Sequence, residues 1–292
     1  MKTALMSSGR RLISINGMGL TQLLHKRGEI IRKGDTSLYL MNITIGLLGL
    51  LIGSFLNVVI YRVPRGESIV TPGSHCPACG HELRAWELIP VISFLIQKGQ
   101  CRNCQERISW RYPVVELLTG VLFFITATLS LNAETHPARL LLNLVFVAVL
   151  IALSFIDLDT FRLPDVLTLP LLGIGLLGAF LIPGTPSGWE SVLSALGAGG
   201  LFWAIALFYP QGMGLGDVKL VAALGAFLGF PSIFLAVFLG SFVGAFIGIF
   251  FLLAGQKRFR QQIPFGPYLA LGAIFTLLWG TQIMDLYWAW IR

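Results

Sequence analysis

Charge is scarce in this chain. Only 12% of its 292 residues are Asp, Glu, Lys or Arg, while 55% are hydrophobic. A soluble globular domain carries about 25% charged residues, so the shortage excludes a water-soluble core and predicts an all-α polytopic membrane protein. The charges sum to +7, but no basic surface interleaved with aromatics accompanies them, which excludes a nucleic-acid partner. Short-period repeats and low-complexity tracts are missing. Residues 1–40 contain no apolar core long enough for a secretory signal. Cysteine is limited to four positions in two close pairs; four in a secreted protein would suggest disulfides, whereas paired C-x-x-C units in a polar, basic loop suggest metal.

Long apolar runs are abundant. A spanning helix needs about 20 mostly apolar residues, and the sequence offers about eight: 43–61, 113–131, 139–156, 163–182, 190–209, 218–230, 232–255 and 266–290. The sixth is short, holds Gly225 and Gly229, ends at Pro231, and reads as a tilted, broken or incomplete span. Basic residues concentrate in the 62–112 loop (Arg62, Arg65, Arg84, Lys98, Arg102, Arg107, Arg111) and the 256–262 loop (Lys257, Arg258, Arg260); the opposite loops hold Arg139 and, at the end, Arg292. Alternating spans put the basic loops on one side, which the positive-inside rule makes the cytoplasm. The basic stretch 1–42, with Lys2, Arg10, Arg11, Lys26, Arg27, Arg32 and Lys33, conflicts with that topology. Translation starting at Met41, with an upstream extension before it, is the expectation; a genuine basic tail is the alternative. The remainder divides into an N-terminal half, 43–131, carrying the 62–112 loop, and a membrane domain, 139–290.

The cysteines form two C-x-x-C units, Cys76-Pro77-Ala78-Cys79 and Cys101-Arg102-Asn103-Cys104, separated by 21 residues. Two such knuckles complete a closed tetrahedral site suited to structural zinc. With no open coordination position, the metal folds a small cytoplasmic loop domain and does not catalyse. Disulfides are the alternative if the loop lies outside the cytoplasm. His75 and His81 read as polar loop residues.

Two aspartates sit at the mouths of apolar runs: Asp157 in Phe155-Ile156-Asp157-Leu158-Asp159, and Asp217 in Gly214-Leu215-Gly216-Asp217. A carboxylate inside a bilayer costs roughly 2.5–3.5 kcal/mol by insertion scales and marks a functional site by default. The topology puts both on the cytoplasmic side. Asp217 opening a helix is favoured by the dipole, whereas Asp157 closing one is opposed by it. Gly214 and Gly216 permit close backbone approach and unusual torsions; Lys219 follows them. Asp159 and Asp165 compete with Asp157, with Asp165 in Leu163-Pro164-Asp165 reading as a helix cap. Two adjacent carboxylates share a proton and titrate as a unit. The ionised one takes a proton from a bridging water that attacks a carbonyl, and the neutral one donates to the carbonyl oxygen, as in aspartic proteases. Ser54 and Asn57 are polar within the first span and serve either packing or substrate contact. Glu116 is an ionisable group just inside the second span. The glycines of Gly197-Ala198-Gly199-Gly200 and of Gly240, Gly244 and Gly248 read as helix-contact faces.

Taken together, Gly53-Ser54-Phe55-Leu56-Asn57-Val58-Val59-Ile60-Tyr61-Arg62, the paired C-x-x-C loop, Arg111-Tyr112-Pro113-Val114-Val115-Glu116, Phe155-Ile156-Asp157-Leu158-Asp159 with Leu163-Pro164-Asp165, and Gly212-Met213-Gly214-Leu215-Gly216-Asp217-Val218-Lys219 resemble the bacterial prepilin peptidases, membrane aspartic proteases of the GxGD type. The resemblance covers about 46–275. It implies that Asp157 and Asp217 are catalytic, with Gly214, Gly216, Asp159 and Lys219 supporting them. It also implies that the substrates are type IV prepilins or pseudopilins, cut after their basic leader at the cytoplasmic face of the bacterial inner membrane. Many members N-methylate the new N-terminus with S-adenosylmethionine, an activity attributed to the N-terminal half. The chain has no soluble Gly-rich methyltransferase fingerprint; Glu87 and Glu116 are the candidates for the methyl-donor site. Many members read E-N-I-P where this chain has Glu87-Leu88-Ile89-Pro90, which leaves a peptidase without methylation as an alternative. A non-catalytic assembly factor and a proton-relaying transporter are rivals from other classes. Oligomeric state is not legible.

Overall fold

The computed structural model describes residues 20–133, 135–209, 213–253 and 264–291, with the backbone path alone over 20–35, 251–252 and 291. Residues 1–19, the basic 256–262 loop, Gly212 and Arg292 lie outside the described residues. The chain forms two contact units, Met1–Met41 and Asn42–Arg292. In the first, the described backbone is helical from Leu20.

The described residues form nine α-helices: α1 (Leu20–Arg62), α2 (Ile92–Ile96), α3 (Arg111–Asn132), α4 (Pro137–Thr160), α5 (Asp165–Leu181), α6 (Gly188–Phe208), α7 (Leu215–Leu228), α8 (Ser232–Leu253) and α9 (Gly266–Ile291). Strands are absent among them; only two isolated bridges occur, His75 with Glu82 and Gln100 with Arg107. Each of the eight apolar runs contains one of these helices or a part of one. Among the described residues, six stretches are long and apolar enough to cross a membrane: Thr36–Arg65, Arg111–Asn132, Pro137–Thr160, Gly188–Phe208, Ser232–Phe250 and Gly266–Trp290. The other two are shorter: α5 has 17 residues and α7 has 14. At 1.5 Å per residue, α7 reaches about 21 Å, short of a hydrocarbon core of about 30 Å.

Within Asn42–Arg292, α4 is apolar on two faces. Leu142, Phe146, Leu150 and Leu153 join a core built with α5 to α9. Leu140, Leu144, Val147, Ile151 and Ile156 join a second core with α1 and α3. Both sets follow helical spacing, and a helix apolar all round is buried. Short α7 is likewise enclosed: Leu220, Val221, Ala223 and Leu224 are fully buried. Small residues let neighbours close on it. A Cβ on Gly225 would stand 2.7 Å from the Ser194 carbonyl oxygen of α6, and one on Gly199 2.9 Å from the Ala222 Cβ. Gly240 and Gly244 likewise face Tyr268 of α9, whereas Gly197 and Gly200 have open space beside them, so their expected helix contact is not made. The helix α7 ends at Gly229, whose φ of 67° only glycine adopts freely.

Candidate active site and metal-binding loop

α4 ends one turn after Asp157. Phe161 closes the helix in the left-handed conformation, donating its N–H to the Asp157 carbonyl at 2.9 Å. This places the Asp157 side chain, 5% exposed, at the corner where α4 turns into α5. Its own helix dipole opposes a charge there. The compensation comes from another element: the N–H of Gly266, first residue of α9, donates to Asp157 Oδ2 at 2.9 Å. Gly266 did not stand out in the sequence. Its signal was Phe265-Gly266-Pro267, a helix start marked by an early proline.

Asp217 lies in the first turn of α7 and accepts the Gly214 N–H on Oδ2 at 3.2 Å. It therefore caps its helix and also faces a cavity of about 580 Å³ that Asp157, Leu163, Asp165, Val63 and Pro64 help line. Both carboxylates therefore line the same space. Gly216 admits the approach of the α4–α5 corner, since a Cβ there would stand 3.0 Å from the Leu163 Cβ. Neither Gly214 nor Gly216 has a positive φ, so the unusual torsions expected of them are absent and their smallness is what the site uses.

Two ion pairs flank the cavity. Lys219 Nζ lies 2.7 Å from both oxygens of Asp165, tying α7 to the start of α5. Arg111, opening α3, pairs with Asp159. Asp165 is consequently not a cap: Pro164 holds the cap position and no side-chain cap bond forms. The pairing across the fold outcompetes local capping because Lys219 brings a full charge to the same carboxylate.

The loop between α1 and α3 is built differently. Cys76 and Cys101 each accept an N–H from four residues on and donate their own to a carbonyl five residues on, so the two knuckles repeat one backbone pattern. All four thiols are free, and their sulfurs lie within 4.8 Å of one another. Two of the separations, 3.8 Å for Cys76–Cys104 and 4.0 Å for Cys79–Cys101, compare with about 3.8 Å between ligands of a tetrahedral ion with 2.3 Å bonds. The set can hold a metal ion. Without a cation four thiols compete for ionisation. The Asn103 amide draws Cys79 down to about 6. Cys104, despite the Glu106 backbone N–H, is pushed up to about 12 by burial and the other sulfurs. The histidines stand aside: His75 Nδ1 is 3.0 Å from the Gly73 carbonyl oxygen and His81 Nε2 is 3.5 Å from Glu87 Oε2.

The same loop contains Glu87, buried, with its Oε2 accepting the Arg84 N–H at 2.9 Å. That bond holds its carboxyl below the ordinary glutamate range against the opposing effect of burial. Glu116, on α3 beneath Gly53, accepts the Val91 N–H at 2.7 Å. Val91 has φ 61° and ψ −48°, a costly conformation for a β-branched residue that the Glu116 bond helps retain. Asn57 donates to the Tyr112 carbonyl at 3.1 Å, a contact between α1 and α3.

Two family models match the chain: the bacterial Peptidase A24 N-terminal domain over residues 47–130 and the type IV leader peptidase family over 144–249. A prepilin leader peptidase/N-methyltransferase of Aeromonas salmonicida (strain A449) is 42% identical over 273 residues, covering 82% of this chain and 91% of that protein. Proteins of the same description from Aeromonas hydrophila and Pseudomonas aeruginosa are 43% and 39% identical, each covering 82% of this chain and 91% of the relative. No solved structure matches.

Proposed function

Since the chain belongs to the type IV leader peptidase family, we propose that it removes the leader of type IV prepilins or pseudopilins and N-methylates the residue so exposed. The observation that carries the reading is the placement of Asp157 and Asp217 on one cavity. One carboxylate, ionised, takes a proton from a water held between the pair. The resulting hydroxide adds to the scissile carbonyl while the other carboxylic acid protonates its oxygen. Collapse of the tetrahedral intermediate breaks the C–N bond as one of its hydroxyls returns a proton to the second carboxylate, and the leaving amine takes its proton from the acid formed first. Gly266 and Gly214 orient the two side chains through their N–H groups. The cavity sits at the ends of α4 and α7, so a substrate keeping its apolar helix in the bilayer presents its cleavage point at the rim. The basic loops assign that rim to the cytoplasmic face of the bacterial inner membrane.

The ion held by Cys76, Cys79, Cys101 and Cys104 is zinc in this reading, since four thiolates in tetrahedral array suit it and leave no open position. Its role is to fold the loop. Methylation belongs to the N-terminal half. S-adenosylmethionine supplies the methyl group, the S–C electrons stay on sulfur, the new amine nitrogen forms the N–C bond, and its proton leaves to solvent.

The test is co-expression of a candidate prepilin with wild type, Asp157→Asn and Asp217→Asn. Cleavage should vanish in both variants. Retained cleavage in either one defeats the dyad, and loss confined to Asp159→Asn would relocate the site. Incubation with labelled S-adenosylmethionine and processed pilin should transfer label; none under cleaving conditions leaves a peptidase alone.

A further inference from the structure

The short helix α2, between the two knuckles, is apolar on the side it leaves uncovered. Ile92, Leu95 and Ile96 are 54%, 62% and 72% exposed, and their i, i+3, i+4 spacing puts them on one face. Phe94, the one buried residue of α2, points the other way. An exposed apolar face of this kind marks a surface that a partner or a membrane covers. The position of α2 says which. It is held to the root of α3 at two points. The Phe94 ring meets the Trp110 ring edge-on, centroids 4.8 Å apart, and Trp110 immediately precedes α3. At the other end Val91, the residue before α2, donates its N–H to Glu116 Oε2 at 2.7 Å. Glu116 lies about 7.5 Å along the axis from Arg111, at 1.5 Å per residue. With 22 residues, α3 is about 33 Å long, little more than a hydrocarbon core of about 30 Å. Arg111, paired with Asp159, therefore stays at the headgroups, and the turn that carries Glu116 is already among acyl chains.

We propose that α2 is seated in the lipid leaflet from which α3 enters the membrane, with Ile92, Leu95 and Ile96 among acyl chains, so that the metal-binding loop is anchored to the bilayer between its two knuckles. Three observations select lipid as the occupant. The depth fixed by Glu116 matches the roughly 5–10 Å at which amphipathic helices bury their apolar face in the headgroup and acyl boundary. The exposed side of α3 begins at the same Trp110 that packs on α2: Trp110, Val114, Leu117 and Val121 are 70%, 49%, 54% and 46% exposed at helical spacing, which in a spanning helix is the lipid face. Tryptophan also favours the membrane–water boundary. Finally, the exposed Lys98 follows α2 by two residues, where its stem can lie along the apolar surface while its ammonium reaches headgroup phosphates. The loop is thus not wholly aqueous: its knuckles stand in water, and the helix between them does not.

The test uses the unaltered full chain in liposomes of phosphatidylethanolamine and phosphatidylglycerol that contain a phospholipid with a photoactivatable diazirine on its acyl chain. Adducts are mapped by mass spectrometry after illumination. Val114 and Leu117 report the lipid face of α3, and Asn103, exposed in the second knuckle, reports water. Adduct yields on Ile92, Leu95 and Ile96 should exceed that on Asn103 at least fivefold and reach at least a third of those on Val114 and Leu117. Lower yields on α2 overturn the inference and leave the helix in water or under protein. Labelling of α2 that disappears when a prepilin is added, while Val114 and Leu117 keep theirs, also overturns it and gives the face to the apolar helix of the substrate.

Discussion

A single methyl group on Gly266 would stand 2.8 Å from Asp157 Oδ2, where the Gly266 N–H now donates. The carboxylate would have to move, and displacements of about 1 Å can cost about 100-fold in rate. Gly266→Ala should therefore lower kcat for leader cleavage at least tenfold, with a melting temperature within a few degrees of wild type; full activity would show that this N–H does not orient Asp157. The knuckles permit a second comparison at one residue. Gly80 and Gln105 occupy the same position in the repeated pattern, with φ of 70° and 64°. A non-glycine residue there costs on the order of 1 kcal/mol. Gln105→Gly should raise the chelator concentration needed to strip the metal, and Gly80→Ala should lower it.

At the scale of elements, the sequence announced all eight apolar helices because burial in lipid requires apolar length, and length survives without tertiary context. Enclosure by protein was less visible. The shortness of α7 could be read from Gly225, Gly229 and Pro231, but not that α6 closes on it through Gly225. Asp157 and Asp217 stood out because carboxylates beside apolar runs are rare. Their partners did not, since Gly266 lies 109 residues from Asp157 and Lys219 lies 54 from Asp165. Local chemistry favoured a cap for Asp165, and only the packing of α7 against α5 supplies the competing cation. Those contacts define two tests of α7. Gly225→Val places side-chain carbon against the Ser194 carbonyl, 2.7 Å from the first added atom. Overpacking costs roughly 1–3 kcal/mol, so the variant should melt lower and cleave less. Lys219→Met removes an exposed ion pair worth about 1 kcal/mol or less. Its melting temperature should barely change, and a large drop would mean that the pair anchors α7 more firmly than exposed pairs do.

Within Asn42–Arg292 the helices and the loop depend on different forces. The helices bury two apolar cores that share α4. The 62–112 loop has almost no core of its own: between Val63 and Trp110 the buried residues are Cys76, Glu87, Pro90, Phe94 and Cys101. Its cross-links include two isolated bridges, the Val91 N–H to Glu116, the Arg102 guanidinium on Trp86 and, at its root, the buried Arg62, which donates to the carbonyls of Ser68 and Gly73 at 3.0 and 3.2 Å. A segment that small cannot offset its conformational entropy by burial, so a metal ion bound by the four thiolates would supply its folding free energy. Chelation under reducing conditions should therefore expose residues 74–107 to protease while far-ultraviolet circular dichroism retains the signal of the helices. Because binding displaces protons from thiols such as Cys104, held up near 12, the metal should be lost more easily as pH falls. A loop that stays protease-resistant after complete metal removal would show that its few buried side chains suffice.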